Sequence, residues 1–398
     1  MNTHSPSPAE NKFISFNNSG LIDQGRIHFI NFCRKLTVNS ILFLIPIHFL
    51  KIGFNGWQIG FITAFYAIAP LLFSFPAGWI NDRLSITKMI RGALFLVSLS
   101  LLLISQINNF LAMAAVFLVL GISNNALDVS TNSLFYKDER QMDQNKKYGS
   151  LSFWLALGVA SGTFLGGFLT HFADFKVMFY AYAGVMFLVL ILSGDIGTEQ
   201  LSRVTLKEYR LELINRRTVF FMVMIFVLTL HWGAENTVYS PFLKNYFQLN
   251  NLQVSLYISL PLFMLAFSAL LIGFLKYNAR LNKRLFLFSL TISGLGHILM
   301  VNHSLPLSFI FRIVHEIGDG FLGALIVLYI SRLFQKRSIG GSSGILLAVM
   351  TTGHMVGSLV FSPLGYRVGL QYPFIISGIL LLANALYGLW VFRIESYG

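Results

Sequence analysis

The chain has 398 residues, of which 55% are hydrophobic and only 11% are Asp, Glu, Lys or Arg. Soluble domains carry about 25% charged residues, and a single core could not hide this much apolar surface from water. The composition therefore excludes a water-soluble domain and indicates a protein whose exterior faces a lipid bilayer.

Apolar segments long enough to cross a bilayer recur along the whole sequence. A membrane helix needs roughly 20 consecutive apolar residues, and about twelve segments meet that requirement. They lie at 28–50, 56–80, 88–107, 109–135, 147–172, 175–196, 218–247, 250–276, 283–302, 305–334, 340–366 and 370–393. We therefore predict an all-α membrane protein with about twelve transmembrane helices.

The polar stretches divide the chain. Residues 1–22 lack the charged start, apolar stretch and cleavage site of a signal peptide, so we expect a disordered cytoplasmic tail there. The longest polar connection, 197–217, separates six segments from six. It predicts a linker between two helical bundles at 23–196 and 218–398. Cys33 is the only cysteine, so a disulfide within the chain is impossible.

The net charge of +13 is distributed unevenly along the chain. Basic residues concentrate in the connections after even-numbered segments, whereas the other connections hold few. This positive-inside bias predicts that both termini are cytoplasmic in a multi-pass protein of the cell membrane, expected to be a bacterial inner membrane. The basic charge is thus a topology signal, and we expect no nucleic-acid partner and a monomer.

Segment 10 carries the largest group of ionisable side chains inside a span. Each such side chain costs roughly 2.5–3.5 kcal/mol by insertion scales, so each one is a candidate for function. The group consists of Arg312, His315, Glu316 and Asp319. Spacings of three and four residues place them on one helical face. We expect His315, Glu316 and Asp319 to handle protons and Arg312 to bind substrate; the alternative is a static ion network between helices.

Segment 7 carries a second group on one face. His231 and Glu235 are four residues apart, and Gly233 between them allows another backbone or a ligand to approach. Glu235 is a candidate for proton coupling. The candidate substrate contacts in this segment are His231, Trp232, Asn236 and Tyr239. The alternative is a polar pair that is satisfied inside the bundle.

Segments 1 and 4 provide a third set. Asp128 and Asn132 are four residues apart in segment 4, and they share a face. Arg34 and Lys35 lie in segment 1, where either cation could pair with Asp128 or hold an anionic substrate. We take Arg34 and Asn132 as substrate-binding candidates and Asp128 as a proton-coupling candidate, since Lys35 can instead extend to the membrane surface.

The junction after segment 2 reads Gly78-Trp-Ile-Asn-Asp82-Arg83, followed by Lys88 and Arg91. This pattern resembles the loop signature between helices 2 and 3 of the major facilitator superfamily of transporters. The resemblance implies two pseudo-symmetric six-helix bundles with a binding site between them near mid-membrane. It also implies that Gly78, Asp82 and Arg83 act in gating.

Two further helices resemble members of that superfamily. The glycines of segment 5 are spaced as in the antiporter motif of drug–proton exporters, at Gly149, Gly158, Gly162, Gly166 and Gly167. Segment 4 resembles fucose-permease-like members, which implies proton coupling at Asp128 and sugar contact at Asn132. Segment 10 resembles sugar–proton symporters of the lactose permease type, which cluster His and Glu on that helix.

No pattern in the sequence indicates catalysis. A Walker A loop, a His/Cys cluster at metal spacing and a Gly-x-Ser-x-Gly elbow are all missing, so we expect no enzyme, cofactor or metal. We predict a proton-coupled secondary transporter that moves a small polar or anionic solute by alternating access. The alternatives are a drug or metabolite exporter working by proton antiport and, in another class, a non-transporting receptor built on a transporter fold.

Overall fold

A computed structural model describes residues 24–81, 85–137, 143–194, 206–335 and 338–395. These ranges contain twelve long helices and no strand, which confirms the predicted all-α fold. The helices are α1 (Gln24–Lys51), α2 (Gly56–Asn81), α3 (Ile86–Ile104), α4 (Phe110–Lys137), α5 (Gln144–Phe172), α6 (Phe175–Leu192), α7 (Arg216–Tyr246), α8 (Asn251–Phe274), α9 (Ala279–Leu299), α10 (Leu305–Leu333), α11 (Ile339–Val368) and α12 (Tyr372–Glu395). A short helix at Leu206–Leu213, the linker helix, precedes α7. The predicted tail at 1–22 lies outside the described residues.

In the described part of the chain, 11 helices are long and apolar enough to cross a membrane. The remaining long helix, α9, is less apolar because Arg280, Lys283 and Arg284 occupy its first two turns. Twelve successive crossings bring the first and last described residues to the same side of the bundle. We call this the termini side, and we call the other the opposite side.

Several helices begin where a polar side chain can accept a hydrogen bond from a free backbone N–H. Asn250 accepts from the backbone of Gln253 at 3.0 Å, and the Gln253 side chain accepts from the backbone of Asn250 at 2.9 Å. Asp143 and Asp174 cap α5 and α6 in a similar way. Such caps stabilise a helix by about 1 kcal/mol. They extend α5 to residue 144, beyond the apolar segment that predicts it.

Helices α1 and α7 each contain one turn of π-helix, at Lys35–Asn39 and Glu235–Tyr239. The hydroxyls of Thr37 and Thr237 each donate to the backbone carbonyl four residues earlier, at 3.0 and 2.6 Å. Single π turns are rare and occur frequently at functional sites. Here both turns contribute residues to the lining of the cavity described below.

The two halves meet through equivalent helix pairs. Helix α2 packs against α11, and α5 packs against α8, which are the same pair of positions when the halves are exchanged. Small residues allow this approach: a Cβ atom at Gly78 would lie 2.4 Å from the carbonyl oxygen of Gly340, and one at Gly167 would lie 1.9 Å from Ser255. The pairing agrees with two pseudo-symmetric six-helix bundles. The division at 23–196, 197–217 and 218–398 stays a prediction.

The glycines of α5 have a packing role. A Cβ atom at Gly158 would lie 2.4 Å from the carbonyl oxygen of Phe32, and one at Gly162 would lie 1.9 Å from that of Leu36. These carbonyls belong to α1 next to its π turn. Small residues are what allow membrane helices to approach so closely. The glycine spacing therefore holds α5 against α1, next to the cavity described below.

We expect Gly162→Ala to lower the thermal unfolding temperature of the purified protein in detergent. The added methyl group would collide with the backbone of α1, and overpacking of this kind costs about 1–3 kcal/mol. Gly184→Ala in α6 is the matched control, because nothing lies within 4 Å of the added Cβ atom there. Equal unfolding temperatures for the two variants would contradict the close α1–α5 contact.

Candidate functional site

A cavity of about 350 Å³ lies between the two halves. Its walls come from α1, α2, α4 and α5 on one side and from α7, α8, α10 and α11 on the other. Its lining extends to Tyr136 and Ile330, which lie in the last turns of α4 and α10 on the termini side. The polar lining residues are Lys35, Asn39, Tyr66, Asn124, Asn125, Asp128, Asn132, Tyr136, Trp232, Glu235, Asn236, Glu316, Asp319, Ser343, Thr351 and His354.

In the first half, a fully buried arginine lies behind an aspartate of the wall. Arg34 has no exposed surface, and it donates to Asp128 at 2.6 Å and to Asn124 at 3.0 Å. Asn124 in turn donates to the Tyr66 hydroxyl at 2.7 Å. Lys35 lies 4.0 Å from the other oxygen of Asp128 and lines the cavity. Two cations therefore face one carboxylate, and Lys35 is the one within reach of a bound solute.

In the second half, a second buried arginine joins two carboxylates. Arg312 is fully buried and donates to both Glu235 and Glu316, in very short contacts. Its guanidinium also lies 4.4 Å from the centre of the Tyr239 ring, in a cation–π contact. Glu235 and Glu316 line the cavity, whereas Arg312 does not. As in the first half, the acids face the cavity and the arginine stands behind them.

Two histidines have their ring nitrogens in equivalent surroundings. Nδ1 of His315 lies 2.8 Å from the carbonyl oxygen of Ser293, and Nδ1 of His231 contacts that of Leu228. A carbonyl only accepts, so each Nδ1 carries a proton. Nε2 of His231 then faces Asp319 at 2.9 Å, and Nε2 of His315 faces Glu235 at 3.2 Å. Each of these two contacts holds one proton, carried either by Nε2 or by the carboxyl group.

The acidic groups of this second cluster outnumber its permanent cations. The cluster holds three carboxyl groups and one guanidinium: Arg312 bonds Glu235 and Glu316, whereas Asp319 contacts His231 and His315. With all three carboxyl groups ionised, two negative charges would be in excess. Uncompensated charge is costly in a water-poor interior. Protonation of His231 and His315 would balance the cluster.

A third histidine completes the cluster. The His297 ring stacks on that of His315 with the centres 4.5 Å apart, and its Nε2 lies 4.0 Å from Glu235. That nitrogen makes no hydrogen bond to the described residues and is fully buried. In the sequence, His297 is a single histidine inside an apolar segment, and no role is predicted for it. The signal that could have found it is the polar stripe of α9, where Ser289, Ser293 and His297 recur every four residues.

The same cluster has the donor atoms of a metal site. Ligand atoms of His231, Glu235 and His315 all lie within 4.8 Å of one another. The guanidinium of Arg312, however, bonds the same Glu235 oxygen that faces His315. A metal cation would have to share that oxygen with a fixed positive charge. The electrostatics therefore favour protons over a metal at this position.

The predicted site residues fall into two layers. Those that line the cavity are Asp128, Asn132, Trp232, Glu235, Asn236, Glu316 and Asp319. Those that lie behind the wall and do not line it are Arg34, His231, Tyr239, Arg312 and His315. Helical periodicity correctly brings all of them to one region but does not indicate depth. Of the gating candidates, Gly78 lies at the α2–α11 contact, and Asp82 and Arg83 lie outside the described residues.

Of the other lining residues, the sequence leaves Lys35 open between pairing with Asp128, holding a substrate and extending to the membrane surface. It predicts no role for Asn39 or His354. Lys35 and Asn39 belong to the π turn of α1, which turns both toward the cavity. His354 of α11 contacts Asn236 at 3.1 Å and closes the wall beside it. A single His or Asn in an apolar segment carries too little signal to be distinguished from a satisfied core residue.

Two bacterial drug-resistance proteins are similar to this chain over most of its length. It is 24% identical over 388 residues to multidrug resistance protein 2 of Bacillus subtilis (strain 168), covering 89% of this chain and 91% of that protein. It is 23% identical over 361 residues to the quinolone resistance protein NorA of Staphylococcus aureus (strain COL), covering 87% and 90%.

Solved transporters share the fold. A crystal structure of the nucleoside transporter NupG superposes with a TM-score of 0.71 at 15% identity, over 93% of this chain and 99% of that one. The human organic anion transporter MFSD10 superposes with a TM-score of 0.72 at 15% identity, over 92% and 99%. The family model for the Major Facilitator Superfamily matches residues 27–229 and 221–397. Since these matches span almost the whole sequence, the chain belongs to the Major Facilitator Superfamily.

Proposed function

We propose that the protein is a proton-coupled exporter of small amphiphilic solutes, with a preference for those that carry a positive charge. The observation that carries this proposal is the layering of charge around the cavity. Asp128, Glu235, Glu316 and Asp319 line it, whereas Arg34 and Arg312 stand behind them. Among the described lining residues, Lys35 is the only Lys or Arg. The charged groups that a solute meets in this cavity are therefore mainly carboxylates.

The remaining wall suits an amphiphile. Trp232 offers a ring face, and much of the lining is aliphatic, for example Leu42, Leu265, Leu347 and Met350. Ligand sites of this kind combine apolar walls with a few polar groups that fix orientation. Names of the relatives, multidrug resistance protein and quinolone resistance protein, support export over uptake. For that reason we prefer the antiporter hypothesis to the symport of an anionic solute.

The proposed coupling follows from shared carboxylates. A cationic solute and protons would compete for Glu235, Glu316 and Asp319, so the binding of one would expel the other. Such competition is a coupling free energy between ligands, and it acts equally in both directions. Alternation of the cavity between the two sides then exchanges protons for solute. The histidines behind the acids supply nearby positions for the protons.

Symport of a neutral polar solute is the second candidate. A row of amides, Asn39, Asn124, Asn125 and Asn132, lies on the first-half wall and can hydrogen-bond hydroxyl or base groups. Proteoliposomes with an imposed pH gradient distinguish the candidates. If the protein is an exporter, the gradient should drive a cationic probe in the direction opposite to proton flow. If it is a symporter, the gradient should drive a polar solute in the same direction as proton flow. A receptor would move neither.

Asp319→Asn should reduce gradient-driven transport of tetraphenylphosphonium in proteoliposomes by at least about tenfold, within the usual range of coupling energies. Exchange of the probe across the membrane without a gradient should persist, because the cavity remains. Asp174→Asn is the matched control, since Asn caps α6 as well as Asp does and the residue is remote from the cavity. Undiminished gradient-driven transport in Asp319→Asn would argue against a coupling role for this carboxylate.

Lys35→Gln should tighten the binding of tetraphenylphosphonium to the purified protein. The ammonium group lies 4.0 Å from Asp128, so its removal takes away both a competitor for that carboxylate and a like-charge repulsion with the probe. We expect a fall in Kd of about three- to tenfold, after allowance for screening in a water-filled cavity. Lys244→Gln at the opposite side is the control. Weaker binding in Lys35→Gln would contradict the preference for cations.

Gly78→Ala should slow transport while leaving the Kd of the probe within about twofold, a factor worth less than 1 kcal/mol. The added methyl group would press on the carbonyl of Gly340 and hinder the movement of α2 against α11. The resemblance to the loop signature of the superfamily implies the same result for Asp82→Asn, namely slower transport with a nearly unchanged Kd. This substitution conserves the volume of the side chain but removes its charge. Normal turnover in both variants would remove the gating assignment from this junction.

A further inference from the structure

A second concave surface lies on the outside of the second half, away from the central cavity. It is a groove of about 800 Å³ between the first turns of α9 and the last turns of α12. Arg280, Lys283 and Arg284 form one wall, and Leu386, Leu389 and Trp390 form the other. Neither α9 nor α12 contributes to the lining of the central cavity. The groove is thus separate from the proposed transport site.

Three basic side chains form one wall of the groove. Positions 280, 283 and 284 share one face of α9, because they are three and four residues apart. Arg280 and Arg284 are exposed, and Lys283 is half-buried with its Nζ 5.1 Å from the centre of the Phe392 ring. Like charges at these spacings repel one another. None of the described lining residues is an Asp or Glu, so the site is complementary to an anion.

The other wall is apolar and faces outward. Leu386, Leu389 and Trp390 are 68%, 54% and 50% exposed, and they follow one another along the same face of α12. Tryptophan is enriched at the level of lipid headgroups, where one part of the ring is apolar and another is wet. The groove lies at the termini-side end of both helices, where the apolar part of the bundle meets its basic connections. A ligand here must be anionic at one end and apolar at the other.

We propose that this groove binds an anionic phospholipid of the surrounding bilayer. The phosphate and headgroup lie against Arg280 and Arg284, and the acyl chains run along Leu386 and Leu389. Basic pockets between membrane helices are a recognised type of anionic-lipid site. Three cations in its first turns make α9 the least apolar of the long helices. The negative charge of the lipid would offset their positive charge.

The test uses the full chain, purified in detergent and exposed to phosphatidylglycerol, to phosphatidylcholine or to inorganic phosphate in excess. Native mass spectrometry counts the retained lipids, and thermal unfolding measures their effect on stability. The wild-type protein should retain phosphatidylglycerol in preference to phosphatidylcholine. The double variant R280Q/R284Q should lose about thirtyfold in affinity for phosphatidylglycerol, since each basic residue near an anionic surface contributes about fivefold.

The control R216Q/R217Q removes two charges from the start of α7 on the same side, and it should retain phosphatidylglycerol as the wild type does. If R280Q/R284Q aggregates, Arg284→Gln alone should still show a loss of about fivefold. Equal retention by R280Q/R284Q and the control would overturn the proposal. So would displacement of phosphatidylglycerol by inorganic phosphate, or equal retention of the two lipids. Because neither readout involves transport, failure here leaves the proposed function untouched, and the reverse also holds.

Discussion

The arrangement of the whole interior depends on the cost of burying charge. An isolated ion in a water-poor interior costs many kcal/mol, and breaking a buried pair typically costs about 3–5 kcal/mol. Arg34 and Arg312 are both completely buried, so each must be held against carboxylates by its neighbours. This requirement fixes α1 against α4 and α7 against α10. The cavity takes its shape from these two contacts, since the paired carboxylates form its walls.

The two halves share the same local structure at their charged residues. The letters Thr-Val-x-Ser occur at 37–40 in α1 and again at 237–240 in α7, and each copy lies at a π turn. The first residue of the π turn is Lys35 in one half and Glu235 in the other, and both line the cavity. The π turn therefore occurs in both halves and places opposite charges at equivalent positions. Pseudo-symmetry of this kind lets one fold divide its chemistry between two similar bundles.

The sequence alone predicts the helices and the faces that meet, because hydropathy and four-residue spacing are local properties. His231 with Glu235, and His315 with Asp319, illustrate this success. It does not predict depth, since Arg34 and Arg312 stand behind the acids only because of how α1 and α10 are rotated in the bundle. The expectation of an anionic solute rested on those two arginines facing it. The sequence also indicates no role for single polar residues such as His297, because their role depends entirely on which residues surround them in the fold.

The two halves differ in the balance of their buried charges, and this difference suggests which half of a proton–cation exchanger would bind the exchanged ions. In the first half, Asp128 faces both Arg34 and Lys35, so its charge is balanced without a proton. In the second half, Arg312 bonds Glu235 and Glu316, Asp319 contacts two histidines, and three imidazoles lie together in the cluster. Only the second cluster needs additional positive charge. That charge can come from protons when the cavity is empty and from a cationic solute when it is filled. In the proposed exchanger, the excess of acid over base in one half would be the physical basis for coupling protons to the solute.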